Sequence, residues 1–480
     1  MSLDDVKSFF CYTKHWSNHT PRSIMSLTRH KEGSLGELCT LSLPLMLSSL
    51  SVMSMIFVDR LLLAHYSTEA LNAAVNATSF GWVFIYGWMV LASIAEVFVA
   101  QHNGAGQDRK IGEPVWQMIW LGVSSIFCFI PLAFWGGSLF YGTGPHTAIE
   151  REYLYWMMLF GPSFPIYGAL CGFFVGRGKT TLITLLAIAA NILNAGLDII
   201  LIFGIEGLVP SMGPRGAAIA TNGSCFFQVI VLGVIFLRKS NRETYGTGQW
   251  KIIPSTFLQC LKIGFPGAFY MAIEIFGWSL YYWMMTLAGE RYITIAGICQ
   301  SVIILLYFFS EGVNKAATTI AGNLIGAKNP SAIPKVLFSG FKLHLLFLGV
   351  MLILFFFCSS FIPDIFLPEK DPEEIAEIYS SLIVGLFCMI FYLFFEGLRL
   401  LIAGILTAAG DTLYLLFSGM FSVWALLVLP IYFFIVQKGA PVEVATCICV
   451  FYNLASSLIL LHRFSGGRWR ELTIVSQENA

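Results

Sequence analysis

The feature that most constrains this chain is its succession of apolar runs, each long enough to cross a bilayer. A spanning helix needs about 20 apolar residues. Runs of that kind are placed at 37–63, 74–100, 114–138, 152–175, 180–203 and 215–238. A polar link, RKSNRETYGTGQWK at 238–251, separates them from a second set at 258–287, 292–320, 335–361, 376–400, 402–436 and 441–463. Lipid offers no partner to backbone N–H and C=O groups, so such spans close their hydrogen bonds internally as helices. The expectation is an all-α integral membrane protein with twelve transmembrane helices in two pseudo-symmetric six-helix lobes. The segments read as a tail at 1–35, an N-lobe at 36–238, a linker at 239–257, a C-lobe at 258–463 and a second tail at 464–480.

Composition excludes other classes. Only 12% of residues are charged and 57% are hydrophobic, whereas soluble domains carry about 25% charged residues. A formal net charge of zero gives no reason to expect nucleic acid. The eleven cysteines fall mostly inside apolar segments without regular spacing, which argues against a disulfide framework or a CxxC zinc site. GFFVGRGKTT resembles a phosphate-binding loop, but Gly172 precedes Gly178 by six positions rather than five. No HExxH or GxSxG signature is present. The chain therefore reads as a non-enzyme without a cofactor. The first apolar span follows a long polar stretch, so no cleavable signal peptide is expected.

Orientation follows from the loops. Lys and Arg concentrate in the N-terminal tail, at Arg109 and Lys110, at Arg177 and Lys179, along 238–251, at Lys328 and Lys335, and at Arg463, Arg468 and Arg470. The alternate loops hold few, and the positive-inside rule then places both termini in the cytosol, with the protein in the plasma (inner) membrane. The halves also share landmarks. Pro44 and Pro266 sit at equivalent depths of the first helix of each half. Gly104-Ala105 and Gly326-Ala327 follow at the same spacing, and Gly178-Lys179-Thr180 lines up with Gly410-Asp411-Thr412. A six-helix repeat ends on the side where it began. The two copies would share topology about an axis along the membrane normal, with a cleft between them.

Ionisable groups at membrane depth are the candidates for function, because each costs about 2.5 to 3.5 kcal/mol on insertion scales. In the first half these are Asp59 on helix 1 and Asp198 on helix 5. Asn194 lies one turn before Asp198 on the same face, and Thr221 closes the small-residue run Gly216-Ala217-Ala218 of helix 6. These oxygens suit a small monovalent cation such as Na⁺. The same two acids could instead share protons, since a nearby like charge favours the protonated form. The plainer alternatives are a packing role for Asp198 with Asn194, and a capping role for Asp59 with Arg60 at the outer surface. In the second half, Glu274, Glu311 and Glu396 lie inside apolar runs. Arg399 follows Glu396 by three residues, so an ion pair is a fair alternative there, whereas Glu274 has no basic residue within a turn. Glu96 reads as close to cytosolic water. Pro44 removes a backbone hydrogen bond and would bend helix 1. Trp82, Tyr86, Trp278, Tyr281 and Trp283 could line a cleft for a flat organic cation, or could simply face lipid.

The run NAGLDIILIFG…GPRGAAIAT, the SLP…VDR pattern of helix 1 and the late LTAAGDT together resemble the multidrug and toxic compound extrusion (MATE) family, over roughly residues 36 to 463. The resemblance implies twelve helices in two lobes around a central cleft, and exchange of H⁺ or Na⁺ for organic, often cationic, compounds by alternating access. It implies an N-lobe ion or proton site at Asp59, Asn194, Asp198 and Thr221, C-lobe acids at Glu274 and Glu396, and a bending role for Pro44. Two departures stand out: Glu396 falls where many members carry aspartate, and Thr407-Ala408 replace the common Arg-Gly before Gly-Asp-Thr. The expected partners are a small organic substrate and the bilayer, with the chain acting as a monomer. The competing readings are a flippase for a lipid-linked precursor and an uncoupled channel or sensor.

Overall fold

The computed structural model describes residues 27–142, 147–359 and 372–472. Residues 1–26, with Lys7, Lys14 and Arg22 of the N-terminal tail, and residues 473–480 lie outside the described residues. Among the described residues, eleven helices are long and apolar enough to span a membrane, and a bent pair makes a twelfth. They are α1 (Leu35–Tyr66), α2 (Thr68–Gly104), α3 (Asp108–Phe140), α4 (Thr147–Leu159 with Ser163–Val175), α5 (Thr180–Phe203), α6 (Pro214–Phe236), α7 (Pro254–Ala288), α8 (Glu290–Gly326), α9 (Pro330–Phe357), α10 (Ile378–Ala408), α11 (Thr412–Gln437) and α12 (Val442–Ser465). The face where α1 begins and α2 ends carries the Lys- and Arg-rich loops, and is called the basic face below.

Two boundaries differ from the sequence reading. The span expected at 152–175 is bent by 40° where Gly161 and Pro162 interrupt it, since proline supplies no N–H to the ladder. The break expected near residue 401 lies at 409–411 instead. Gly410 turns the chain there at φ 83, and the Asp411 N–H closes on Leu406 O at 2.9 Å. Leu400, Leu401 and Ile402 are as apolar as their neighbours, so hydropathy carried no signal for the true position. Both α1 and α7 run unbroken through their prolines, Pro44 and Pro266.

The duplicated landmarks form duplicated geometry. Lys179 N–H closes on Phe174 O at 2.8 Å beside Gly178 at φ 71, which is the turn of Asp411 and Gly410 over again. At the ends of α2 and α8, Gln107 N–H closes on His102 O at 2.9 Å and Asn329 N–H on Leu324 O at 2.8 Å. Lys328 there adopts φ 58, a left-handed conformation that the first half gives to Gly106.

Burial defines how the lobes meet. One apolar core runs through both lobes in the basic half of the bundle, joining Leu41 of α1, Val97 of α2 and Phe173 of α4 to Val313 of α8 and Leu401 of α10. In the opposite half the core divides. One part, around Leu63, Ala77 and Tyr153, belongs to the N-lobe, and another, around Tyr281, Leu382 and Ile431, belongs to the C-lobe. The lobes are welded at the basic face.

The weld is made by backbone meeting backbone. An ideal Cβ on Gly104 would fall 1.9 Å from Asn323 O, and one on Gly326 would fall 2.0 Å from Gln101 O. Asn103 Nδ2 donates to Asn323 Oδ1 at 2.6 Å, Asn323 Nδ2 to Gly176 O at 3.0 Å and Gln101 Nε2 to Ala408 O at 2.7 Å. Gly104→Ala should therefore force α2 and α8 apart and open this face. Reactivity of a cysteine placed at Asn103 toward a charged maleimide added from the basic side should rise about tenfold or more in the variant, an opening worth at least about 1.4 kcal/mol. Unchanged labelling would show that the helices absorb the methyl elsewhere.

The crossover between lobes is itself docked. Trp116 and Trp120 of α3 donate to Thr247 O and Trp250 O, each at 2.8 Å, and Gln117 Oε1 accepts the Ile253 N–H at 3.0 Å. The Arg177 guanidinium lies 3.8 Å over the Tyr245 ring, an arrangement favourable to cation and π-system alike.

Candidate functional sites

A polar stripe on α5 builds the N-lobe site. Thr184, Asn191, Asn194 and Asp198 recur at intervals of seven, three and four residues, so they share one helical face. That face is turned to α1. Thr184 Oγ1 donates to Pro44 O, and Asn191 Nδ2 to the carbonyl of Ser51. At the far end Asp198 and Asn194 approach the Asp59 carboxylate, to which Thr221 Oγ1 of α6 donates at 2.9 Å. The structure thus brings together all four residues expected there. Asp59 lies within α1, which continues to Tyr66, and it is buried; it does not cap the helix.

Local backbone explains the convergence. Immediately after Asp198 the helix widens into a π-type turn at Ile199–Phe203, a feature common at functional sites because it re-aims side chains. Gly216 lets α6 close on this turn: a Cβ there would lie 2.6 Å from Leu201 O. The site borders a cavity of about 170 Å³ lined by Asp59, Arg60, Thr78, Trp82, Tyr153 and Thr221. Trp82 therefore faces this cavity.

The electrostatics are unresolved in a specific way. Asp198 and Asn194 are 0% and 1% exposed. Both carboxylate oxygens of Asp198, the other oxygen of Asp59 and both amide atoms of Asn194 are buried without a hydrogen-bond partner among the described residues. Buried polar groups are normally satisfied, and two neighbouring carboxylates are far costlier than one. A proton between them, or a cation held by these oxygens and Thr221 Oγ1, meets the demand. The donor set fits either, since all of it is hard oxygen.

The C-lobe acids are arranged differently. Arg399 of α10 sits between them, donating to Glu396 through Nε and Nη2 at 2.8 and 2.6 Å and to Glu274 through Nη2 at 2.8 Å. Its Nη1 donates to Tyr270 at 2.6 Å, and Tyr452 donates to Glu274 at 3.3 Å. No basic residue lies within a turn of Glu274 along α7, and the fold brings Arg399 to it from α10. Trp278 and Tyr281 pack in the C-lobe core region, and Trp283 is exposed on its outside.

Between the lobes lies a larger cavity of about 280 Å³, whose wall includes Glu96, Asn314, Lys315, Thr318 and Arg399. Sequence reasoning discounted Glu96 and passed over Lys315. Glu96 accepts from Thr319 at 2.8 Å, and Lys315 reaches Glu311 one turn earlier at 2.8 Å. A lysine in the middle of a 37-residue apolar helix was a visible signal, since such a charge is costly in lipid.

Twelve spanning helices in two lobes around buried, charged cavities define a multi-pass membrane protein of the transporter class. The MatE family model matches residues 44–200 and 266–433, and the chain belongs to the MATE (MatE) family of multidrug efflux transporters. Among its relatives, "Probable multidrug resistance protein NorM" of Thermotoga maritima is 26% identical over 451 residues, covering 92% of this chain and 94% of that protein. A MOP superfamily transporter from Pyrococcus furiosus superposes with a TM-score of 0.80 at 17% identity, over 95% of this chain and 99% of that one. The eukaryotic MATE transporter AtDTX14 gives a TM-score of 0.77 at 18% identity, over 91% and 96%. At these identities the two structures establish a shared fold.

Proposed function

We propose that this protein is a secondary antiporter of the plasma membrane that exports organic compounds in exchange for H⁺ or Na⁺ by alternating access, with both termini cytosolic. The observation that carries this reading is the pair of buried carboxylates, Asp59 and Asp198, with oxygens left unsatisfied beside a cavity. In the outward-facing state the pair takes a proton or Na⁺, with Asn194 and Thr221 as the remaining oxygen donors. Neutralising the pair removes the repulsion between α1 and α5. Helix α1 spans the distance to the other lobe: Asp59 lies about 20 Å along the helix from Met46, which touches Gly312 of α8 closely enough that a Cβ there would be 2.7 Å from Met46 N. Ser49 lies within hydrogen-bonding reach of Glu311. A change at Asp59 therefore reaches α8 through one rigid element, and α8 forms part of the weld at the basic face. The C-lobe carboxylates Glu274 and Glu396 share their charge with Arg399, so they hold that guanidinium at the wall of the interlobe cavity rather than supply exchangeable charge.

The test is reconstitution. Vesicles with an imposed proton gradient, read by a pH-sensitive dye, should lose it faster when a panel of organic cations is added. Failure of both a proton and a sodium gradient to drive exchange of any compound in the panel would overturn the antiport reading.

A further inference from the structure

A short strap leads into the first helix of each lobe, and each strap is docked on the opposite lobe. The crossover 247–253, which opens α7, is held by α3 of the N-lobe. Residues 27–33, which open α1, cross the seam in the other direction. Leu27 starts in the N-lobe, packed on its core beside the α4–α5 turn, where a Cβ on Gly178 would lie 3.3 Å from it. By Glu32 the chain has reached the C-lobe. Glu32 Oε2 accepts from Asn329 Nδ2, and Gly33 O accepts from Ser339 Oγ of α9, each at 2.8 Å. Gly33 lies so close to the first turn of α9 that a Cβ would fall 3.0 Å from Ala332 O. Its φ of 70 suits the turn that Ser34 N–H closes on Lys31 O at 3.0 Å. Ser34 then caps α1, and the buried Glu37 accepts the Gly33 N–H at 2.6 Å. Strap and helix are thereby joined as one unit.

The internal repeat relates the two straps. At the spacing that separates Pro44 from Pro266, Ser339 stands where Gln117 stands in the first half. Gln117 bonds Lys251 O and the Ile253 N–H, and Ser339 bonds Gly33 O. They differ in strength. The crossover adds two tryptophan N–H donors and a hydroxyl of its own on Phe236 O. Among the described residues, the N-terminal strap reaches the C-lobe through the two side-chain hydrogen bonds above, which trade for water at small net cost.

From this asymmetry we infer that the N-terminal strap is a releasable latch on the basic face and the crossover its fixed hinge. This rests on the alternating-access reading above and adds to it the contact that has to let go. The strap from Leu27 to Gly33 reaches about 20 Å at most when extended and is anchored at both ends, so parting of the lobes at this face soon breaks an anchor. The anchor on Asn329 and Ser339 is the one that yields.

The experiment is deuterium uptake read by mass spectrometry on the full chain, comparing native protein with the Glu32→Ala, Ser339→Ala double variant. Gly33→Ala is the second variant, and it dislodges the same contact by crowding. Uptake at 97–107 and 319–329, the two sides of the weld, should be about tenfold faster in either variant. Uptake at 74–82, beside the outer N-lobe cavity, should be no faster, and the hinge at 245–253 should be unchanged. Unchanged uptake at the weld in both variants overturns the latch. So does a parallel rise in all these segments, which marks a merely structural contact. In vesicles, Glu32→Cys and Asn329→Cys joined by a short cleavable bifunctional methanethiosulfonate should stop transport, and reduction should restore it. Deuterium uptake needs no gradient, so it decides the latch even where no coupled transport is found. Coupled transport that survives the cross-link sinks the latch and leaves the antiport reading standing.

Discussion

Asp198→Asn is expected to abolish gradient-coupled exchange while leaving the protein folded and at least as thermally stable as the native form. The substitution keeps the shape of the side chain and removes the charge. Asp198 is 0% exposed and neither of its carboxylate oxygens has a hydrogen-bond partner among the described residues, so the native state carries the cost of burying it beside Asp59. Replacing one acid by an amide lowers that cost and gives Asp59 a donor. The variant should resemble the ion-loaded state permanently. Exchange in vesicles should fall by about a hundredfold or more, equivalent to about 2.7 kcal/mol lost from the coupled step, with an unchanged or higher melting temperature. Exchange at the native rate, at matched reconstitution, would remove Asp198 from the coupling site. A parallel loss of melting temperature would instead make it a packing residue.

The second large effect is at Arg399, in the opposite direction. Arg399→Gln should destabilise the C-lobe by about 3 to 5 kcal/mol, because removing one partner of a buried ion cluster leaves the others uncompensated. Here the orphaned partners are two carboxylates, Glu274 and Glu396, which it holds at 2.8 and 2.6 Å. Thermal unfolding in detergent should move down by several degrees, and Arg399→Lys should recover only part, since a single ammonium cannot reproduce the forked contacts. Combining Arg399→Gln with Glu274→Gln and Glu396→Gln should restore most of the loss. Native-like melting of the single variant would mean that the two acids are already neutral and that the guanidinium contributes little.

What was legible in the sequence follows from what a local pattern can encode. Twelve apolar runs and the repeated glycine landmarks specify helices and their pairing, because hydropathy and φ are properties of neighbours in the chain. The N-lobe site was legible for the same reason. Its acids stand in otherwise apolar runs, Asp59 beside Arg60 alone, and three of the four α5 stripe residues lie within eight positions of one another. The C-lobe was not. Arg399 reaches Glu274 only because α7 and α10 meet in the fold, and nothing near Glu274 in sequence announces it. The repeat gave no help either, since it copies scaffold and not chemistry. At the spacing that relates the two prolines, Asp59 corresponds to Tyr281, and Lys315 to Ser93. The α10–α11 boundary was missed because Gly410 and Asp411 are a short punctuation inside a long apolar stretch.

The docked crossover has a consequence for how the chain is made. Among the described residues, the side chains that hold 247–253 in place belong to the N-lobe or to the strap itself: Trp116, Gln117 and Trp120 come from α3, and the Thr247 hydroxyl donates to Phe236 O of α6 at 2.7 Å. The strap is therefore complete once the N-lobe exists, before any helix of the C-lobe has emerged from the ribosome. Domains assemble in order of synthesis, and a fixed exit point spares the second half much of the search that a slack loop would impose. Helix α7 then enters the bilayer already beside α2 and α3, and the first half of the protein serves as the template on which the second is laid down.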